Sequence, residues 1–520
     1  YSTATTGTKT EGQGYYDYTP AKDYNTGVIK TSENIGETRE AAADGSVLVA
    51  STGKQSDTGS SMAASSAMYV GKDAADNAIT VDLQGHDLKL ASKITGFGES
   101  DTVYVGAGKT VHVKNSGTAG SLHITAGRPD FASGYNDDAG WGNGIKEQAG
   151  GHFTADTDVS IEGIGGMAFQ KKGIDTAGSM DFNKDLAIRN VAANGMEDAN
   201  EAISSQVSPD FNQDSGYGMY VSNSKADSVA VNVKGTLDLD NIYGVGIYAE
   251  NTGKGTTTIN TAGITAKDIG QYLVQAKGST VNVNSGTGIT PGTVKATGDI
   301  AVDNTAGTEV NMNLTDGSAW TGAVIHLNGT KGAVNLTLGK GSTWTNTVSK
   351  YQGDNGKTAA SALASLKGEG GAIVQGSRAI TVDSYSGSST VIYKHNASDP
   401  TSITGGTFTI TKADKDSAIT LLTDNSGIDM KSTTADARNK VSEVLNKLAQ
   451  KLFYTGYTDG NLKGTVEIAD GLTASSASLK TGDISYSTAT TGTKTEGQGY
   501  YDYSPAEDIQ IGRASCRERV

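Results

Sequence analysis

The chain has 520 residues, 69 of them Gly and only 6 Pro, with 6% aromatic residues and a formal net charge of -15 at pH 7. That acidic balance excludes nucleic acid as a partner, because phosphate binding needs clustered basic residues. No run of about 20 apolar residues is present, which excludes a membrane-spanning helix in this segment.

Gly, Thr, Ser, Asn and Asp are the vocabulary of turns and strands, and long helical patterns are scarce. Low hydrophobicity with net negative charge also fits a disordered chain, but strands with a period of two across about 75–430 argue against that. The only cysteine is Cys516, so the residues before it offer neither a disulfide nor a thiolate metal site. A long, repetitive chain without cysteine suits secretion in an unfolded state. The sequence begins at Tyr1 with no signal peptide and reads as an excerpt of a longer protein.

Residues 1–30 are a polar linker rich in Gly, Thr and Tyr. They return near the end: Tyr486 to Tyr503 is identical to Tyr1 to Tyr18, and Ser504 stands where Thr19 stood. The segment spans about one period of a large tandem repeat, the organisation of a modular array. Residues 31–74 form a loose strand-and-loop entry around Val47 to Ala50. Regular rungs begin at Ala78, with alternating apolar residues in 79–91 (Ile79, Val81, Leu83, Leu88, Leu90) and 101–115 (Val103, Val105, Val111, Val113). Residues 128–151 and 194–217 break the pattern and read as excursions from a stack; 158–170, 179–192 and 229–251 resume it.

The most regular stretch is EVNMNLTDGSAWTGAV (309–324) followed by AVNLTLGKGSTWTNTV (333–348). Val310 answers Val334, Leu314 answers Leu338, Gly317 answers Gly341 and Trp320 answers Trp344. A unit this short cannot bury its own apolar face and must stack on a neighbour. These features predict an all-β chain, a parallel β-solenoid over 75–432. At about 24 residues per coil and about 4.8 Å between strands, some 14 coils would make a rod about 70 Å long. Residues 357–367 (KTAASALASLK) read as a short helix beside the stack, and 406–430 as two strands joined by a charged turn. In 434–456, Ala437, Val441, Val444, Leu445, Leu448 and Leu452 share one stripe, with Thr434 as N-cap and Gly456 as stop. This helix and the strands to 485 form a junction that caps the stack; 486–510 is the second linker. The last ten residues, IGRASCRERV (511–520), carry three of the eight arginines and read as translated sequencing-adapter DNA, outside fold and function.

The strand-Gly-Ser-x-Trp coils of 305–350 and the junction at 390–486, including FYTGYTDGNLKGTVEIADGLTASSASLKTGDISY, resemble autotransporter (type V secretion) passenger domains. These belong to large repetitive adhesin-like proteins of bacteria with outer membranes. The resemblance implies a right-handed, single-stranded parallel β-helix, export across both membranes, display on the bacterial cell surface, and adhesion or aggregation. Its implied partners are glycans or proteins of host-cell or bacterial surfaces, or further copies of itself. It also implies an outer-membrane β-barrel downstream, although here the junction leads into a repeat.

Candidate chemistry is sparse. GAGKT (106–110) suggests a phosphate loop, but Val103 stands where the motif needs Gly and a strand follows it. DFNKD (181–185) and DFNQD (210–214) space oxygen ligands as calcium loops do; Asp210, Asn212 and Asp214 come nearest, without the closing Glu. Asp238 with Asp240, and Asp299 with Asp303, are same-face carboxylate pairs of the kind a glycan-cleaving β-helix would need, with Arg189 the clear arginine among the rungs. His86, His112, His123, His152, His326 and His395 show no metal spacing; His112 and His326 face outward by alternation. Trp320 and Trp344 read as stacked packing residues. No catalytic, cofactor or metal residue is assigned. The reading is a non-enzymatic adhesive passenger without a cofactor. A non-adhesive spacer is the alternative, and a β-helix polysaccharide lyase or glycosidase the next.

Overall fold

The computed structural model describes residues 37–41, 47–51, 67–70, 77–83, 85–92, 101–126, 143–164, 172–191, 216–329, 331–347, 360–396, 398–425, 428–430, 432, 434–473 and 478–501. The chain divides into two compact units, Tyr1–Asn311 with His326–Gly332, and Met312–Ile325 with Ala333–Val520.

The first unit is a parallel β-helix with three faces. Its first face stacks Ala78–Asp82, Thr110–Lys114, His152–Ala155, Ser179–Phe182, Val229–Val233, Thr257–Thr261 and Thr280–Val283, each parallel to the next. The second stacks Val47–Ser51, Leu88–Ser92, Leu122–Ala126, Val159–Ile164, Leu186–Val191, Leu237–Ile242, Ile264–Ile269 and Val294–Thr297. The third stacks Met68–Val70, Val103–Val105, Ile145–Glu147, Lys172–Thr176, Tyr217–Asn223, Val245–Asn251, Tyr272–Lys277 and Asp299–Asp303. This is the all-β solenoid that the alternation predicts. Each inward residue lies on its equivalent one coil away: Val231 on Ile259 and Ile259 on Val281, all buried.

Coil length varies about the expected 24 residues: Ile259 lies on Val281, 22 residues on, Trp320 on Trp344, 24 on, and Ile247 on Val274, 27 on. Ile247, Val274 and Ile300 are equivalents on successive coils. The stack also begins earlier than the expected 75, since Val47–Ser51 lies parallel to Leu88–Ser92. Glu37–Ala41 then pairs antiparallel with Val47–Ser51.

The corner between the second and third faces is built from residues that tolerate special geometry. Asn190, Asn241 and Asp268 end second-face strands with φ of 56°, 56° and 52°, a left-handed conformation that Asn and Asp accept better than most residues. Across the corner, a Cβ on Gly144, Gly173 or Gly218 would stand 2.6 Å from a carbonyl oxygen of Gly173, Gly218 or Gly246 respectively. Those glycines are required because successive coils meet there backbone to backbone.

The second unit continues with parallel pairing. Ser361–Gln375 lies between Ala333–Gly339 and Ile380–Ile392, and its C-terminal half also pairs with Thr343–Asn346. The helix expected at 357–367 is therefore a strand from Ser361 onward; residues 357–359 lie outside the described residues. Helical propensity of an Ala/Leu/Lys run amounts to tenths of a kcal/mol per residue. A central strand with partners on both edges and Leu363 and Leu366 buried outweighs it. Phe408–Ala413 and Ser417–Asp424 are the two strands expected in 406–430.

Helix α1 (Ala435–Ala449) has Thr434 as N-cap, its hydroxyl accepting from the Ala437 N–H, and buries Val441, Val444, Leu445 and Leu448 as the stripe predicts. It ends before the expected Gly456 stop. Leu452–Tyr454 leaves the helix as a strand parallel to Phe408–Ala413, which keeps Leu452 buried by a different route. Leu462–Ala469 extends the ladder beside Ser417–Asp424, and Ser478–Asp483 closes it antiparallel.

Trp320 and Trp344 pair in register, fully buried, with ring centroids 5.2 Å apart and planes 5° from parallel. The Trp344 indole N–H donates to the Gly322 carbonyl at 2.9 Å. Trp344→Ala should lose about 3–5 kcal/mol of stability in urea titration, while Trp344→Phe should retain most of it. Equal midpoints for Trp344→Ala and the unchanged chain would contradict the packing role.

Candidate functional site

The motifs singled out in the sequence do not converge. In GAGKT the Gly106 N–H donates to Val70 O at 2.7 Å and the Gly108 N–H to Gly150 O at 3.1 Å. The Lys109 ammonium reaches Asn77 at 2.9 Å. These donors serve neighbouring coils and cannot cradle a phosphate. In DFNKD, Asp181 accepts the Asn232 amide, Asn183 donates to Asp156 at 2.6 Å, and Asp185 accepts the Thr236 N–H at 2.7 Å. Those oxygens diverge. Asp210, Asn212 and Asp214 lie outside the described residues, as do most of both excursions; the described ends of those excursions, Ile145–Glu147 and Tyr217–Asn223, are third-face strands.

The second face carries a column of matched charges. The Arg189 guanidinium donates to Asp238 from Nε at 2.8 Å and from Nη2, and to Glu162 at 3.1 Å; Lys267 pairs with Asp240 at 3.0 Å. The Asp238 hydrogen bond leads in raising the Arg189 pKa against the smaller opposing effect of burial. Each carboxylate of the Asp238–Asp240 pair is thus neutralised by its own cation. Asp303 is bound into a turn by the Thr305 N–H at 2.9 Å, while Asp299 is buried.

On the same face, above the turn, Ser121 bridges Asp87 and His123 at 2.8 Å each, and His123 Nδ1 meets Ser160 Oγ at 2.8 Å. The residue types are those of a hydrolytic triad, but Ser121 stands between the imidazole and Asp87, whose Oδ2 is 3.8 Å from Nε2. His112 meets Asp156 at 2.6 Å and His152 lies 3.5 Å from Asp181. Burial would raise the Asp156 carboxyl, yet hydrogen bonds from Asn183 and His112 hold it below its ordinary value. Both His112 and His326 are half-exposed, as alternation predicts. His395 is tied to the Asp424 carbonyl at 2.7 Å, and His86 sits in the turn before Leu88.

Features that sequence reading missed are more regular. The outward column of the first face is an amide ladder: Asn311 donates to Asn282, Asn282 to Asn260, Asn260 to Asn232, and Asn232 to Asp181, at 2.7–2.8 Å. The recurring VNV and INT triplets were its signal. On the third face, Tyr104, Lys146, Asp175, Tyr220, Tyr248 and Gln275 form one column, half-buried except at Tyr248, which is buried. Tyr220 and Tyr248 stack at 4.9 Å, Tyr217 meets Tyr220 edgewise and Tyr248 at a tilt, and the Lys172 ammonium lies 3.7 Å over the Tyr220 ring. Lys172 and Lys146 share Asp175 at 3.2 and 3.8 Å, and Lys277 pairs with Glu250 at 2.8 Å. Burial, then the Glu250 charge, pushes the Tyr220 phenol up to about 12. The column is a rigid aromatic and charged face with cation–π contact.

Arg378 and Glu147 are among the charged groups that are buried. Arg378 donates to the Ser361 hydroxyl at 3.2 Å and to the carbonyls of Val324 and Ala360 at 3.1 Å, inside the second unit. Glu147 points inward between Val105 and Thr176, 2% exposed, in a slot where Cβ atoms on Gly151 and Gly178 would each come within 2.7 Å of its side chain. Thr176 donates to one of its oxygens at 2.6 Å. Among the described residues, no group of three or more His, Cys, Asp and Glu is placed to hold a metal ion. Compared with protein-family models, curated proteins and solved structures, the chain matches none.

Burial pushes the Glu147 carboxyl from 4.5 up to about 8, with the Thr176 hydrogen bond opposing and the Asp181 charge adding. Between those values the folded chain keeps a proton that the unfolded chain has lost. The stability this group contributes is therefore full below 4.5, declines as pH rises, and is gone above about 8. Urea midpoints of Glu147→Gln should decline less over that window than those of the unchanged chain; parallel profiles would refute the assignment.

Proposed function

We propose that the chain is a β-helical passenger displayed on the bacterial surface, where its repeated outward columns contact a partner surface and produce adhesion or aggregation. The observation that carries this reading is the in-register third-face column from Tyr104 to Gln275, with its stacked tyrosines, lysines and carboxylates on consecutive coils. Parallel coils repeat a contact at about 4.8 Å, so a weak site recurs along the stack. Engagement of several copies strengthens binding through effective concentration. Surface glycans and proteins present the hydroxyl, apolar and charged groups that tyrosine rings, lysines and carboxylates recognise. The near absence of cysteine fits export in an unfolded state, and an outer-membrane barrel elsewhere in the parent protein is part of the same proposal.

A spacer role has one observation of its own. The amides of Asn232, Asn260 and Asn282 are spent on one another, which leaves that face fewer free groups for a partner. Beads densely coated with the purified chain decide between the two. Adhesion predicts that they bind epithelial or bacterial cells well above uncoated beads, and that beads carrying the Lys172→Ala/Tyr220→Ala chain lose most of that binding. Coated beads that bind no better than bare ones would leave the spacer.

A further inference from the structure

The chain carries one eighteen-residue sequence twice, at 1–18 and 486–503. The described part of the second copy is seated on the junction of the second unit. Ser485–Tyr486 pairs antiparallel with Gly499–Tyr500, forming a hairpin. Its return arm meets the edge of Leu452–Tyr454 opposite Phe408–Ala413: the Tyr454 N–H donates to Gly497 O at 2.9 Å, and Phe453 and Gln498 bridge antiparallel. The Gln498 amide donates to the Gln450 carbonyl at 3.2 Å, at the end of helix α1, and the Tyr501 N–H donates to Asn446 at 3.2 Å. Tyr457 donates to Glu496 at 2.8 Å, and the Tyr486 ring packs edgewise on Tyr454 at 5.7 Å.

The fit is selective at one point. A Cβ on Gly499 would stand 2.5 Å from the Ala449 carbonyl oxygen and 3.2 Å from that of Leu452. Only glycine allows the arm to lie against the helix end. Every segment residue in these contacts from Tyr486 to Tyr501 has its identical counterpart in 1–16, with Gly14 in the place of Gly499 and Gln13 in the place of Gln498.

We propose that the junction surface from Asn446 to Gly464 is a receptor for this segment, and that wherever the attached copy at 486–501 leaves it, Tyr1–Tyr18 of another copy of the chain fills it, joining copies head to tail. The recognition is strand addition to an open sheet edge, with main-chain bonds giving affinity and the glycine slot giving selectivity. The covalently attached copy at 486–501 holds its own site by effective concentration. A free segment enters only where that copy is displaced. This inference does not depend on what the outward faces bind.

The test uses the full chain carrying Gly14→Val and Gly499→Val, in which both attached copies are disabled. A fluorescein-labelled peptide of sequence Tyr1–Tyr18 should bind it saturably by anisotropy. The same peptide with Gly14→Val should not bind, nor should the unmodified peptide bind the unchanged chain. The Gly499→Val chain alone should sediment as concentration-dependent oligomers, and the double variant as monomers. Absence of peptide binding to a double variant whose circular dichroism matches that of the unchanged chain would overturn the receptor. If the double variant is poorly folded, the unmodified peptide should restore its spectrum and raise its unfolding midpoint, and failure to do so counts equally against it. A strictly monomeric Gly499→Val chain would overturn the head-to-tail linkage.

Discussion

A strand in a parallel stack satisfies its backbone groups only through the coils on either side of it. The main-chain bonds that matter here are therefore made between residues about one coil apart, such as the Val103 N–H to Gly144 O at 2.9 Å and the Gly144 N–H to Lys172 O at 3.1 Å. Such a ladder stabilises every interior coil and leaves its terminal edges open, and open edges invite pairing with other chains. The chain meets this with antiparallel closures, Glu37–Ala41 on Val47–Ser51 in the first unit and Ser478–Asp483 on Leu462–Ala469 in the second. The second unit adds helix α1 against Leu462–Ala469 and the hairpin at 485–500 against Leu452–Tyr454.

The same in-register stacking governs the side chains. Inward, it places like on like, as with Trp320 on Trp344. Outward, it lets polar residues satisfy one another from coil to coil, as in the amide ladder ending on Asp181 and the Glu162–Arg189–Asp238 group. A carboxylate pair on a strand then carries no implication of acid–base work, because the next coil supplies its counter-charge. Glu147 departs from this rule. It occupies an inward position where its neighbours in the column are Val105 and Thr176, and it keeps that place as a buried acid with a raised pKa.

Much of this was legible in residues that alternate. The first and second faces follow Val229–Val231–Val233 and Leu237–Leu239, and the Trp pair announces its own register. The third face was hard to read because its strands are buried on both sides near their starts: Tyr217, Gly218 and Met219, or Val245 through Ala249, show no period of two. Ile145–Glu147 does alternate, but it is three residues long and its second inward position is a charged residue, so it reads as loop and hides Glu147. Ser361–Gln375 misled through propensity, since its strand state comes from neighbours distant in sequence. The amide ladder needed the register between coils, which composition does not carry. The repeated Tyr/Gly segment was plain as a duplication, but its contact with Gln450 and Tyr454 follows from the fold of the junction.

Hydrogen exchange on the intact chain, resolved by peptide, tests the central claim that coil-to-coil bonding orders the stack and that residues 485–501 close the second unit's end. Exchange should be slowest in the interior coils of 229–283, and the Tyr454, Ser487 and Gly497 amides should be protected far beyond free-chain rates. Free-chain exchange across 485–501, or in the 229–283 coils, would contradict it.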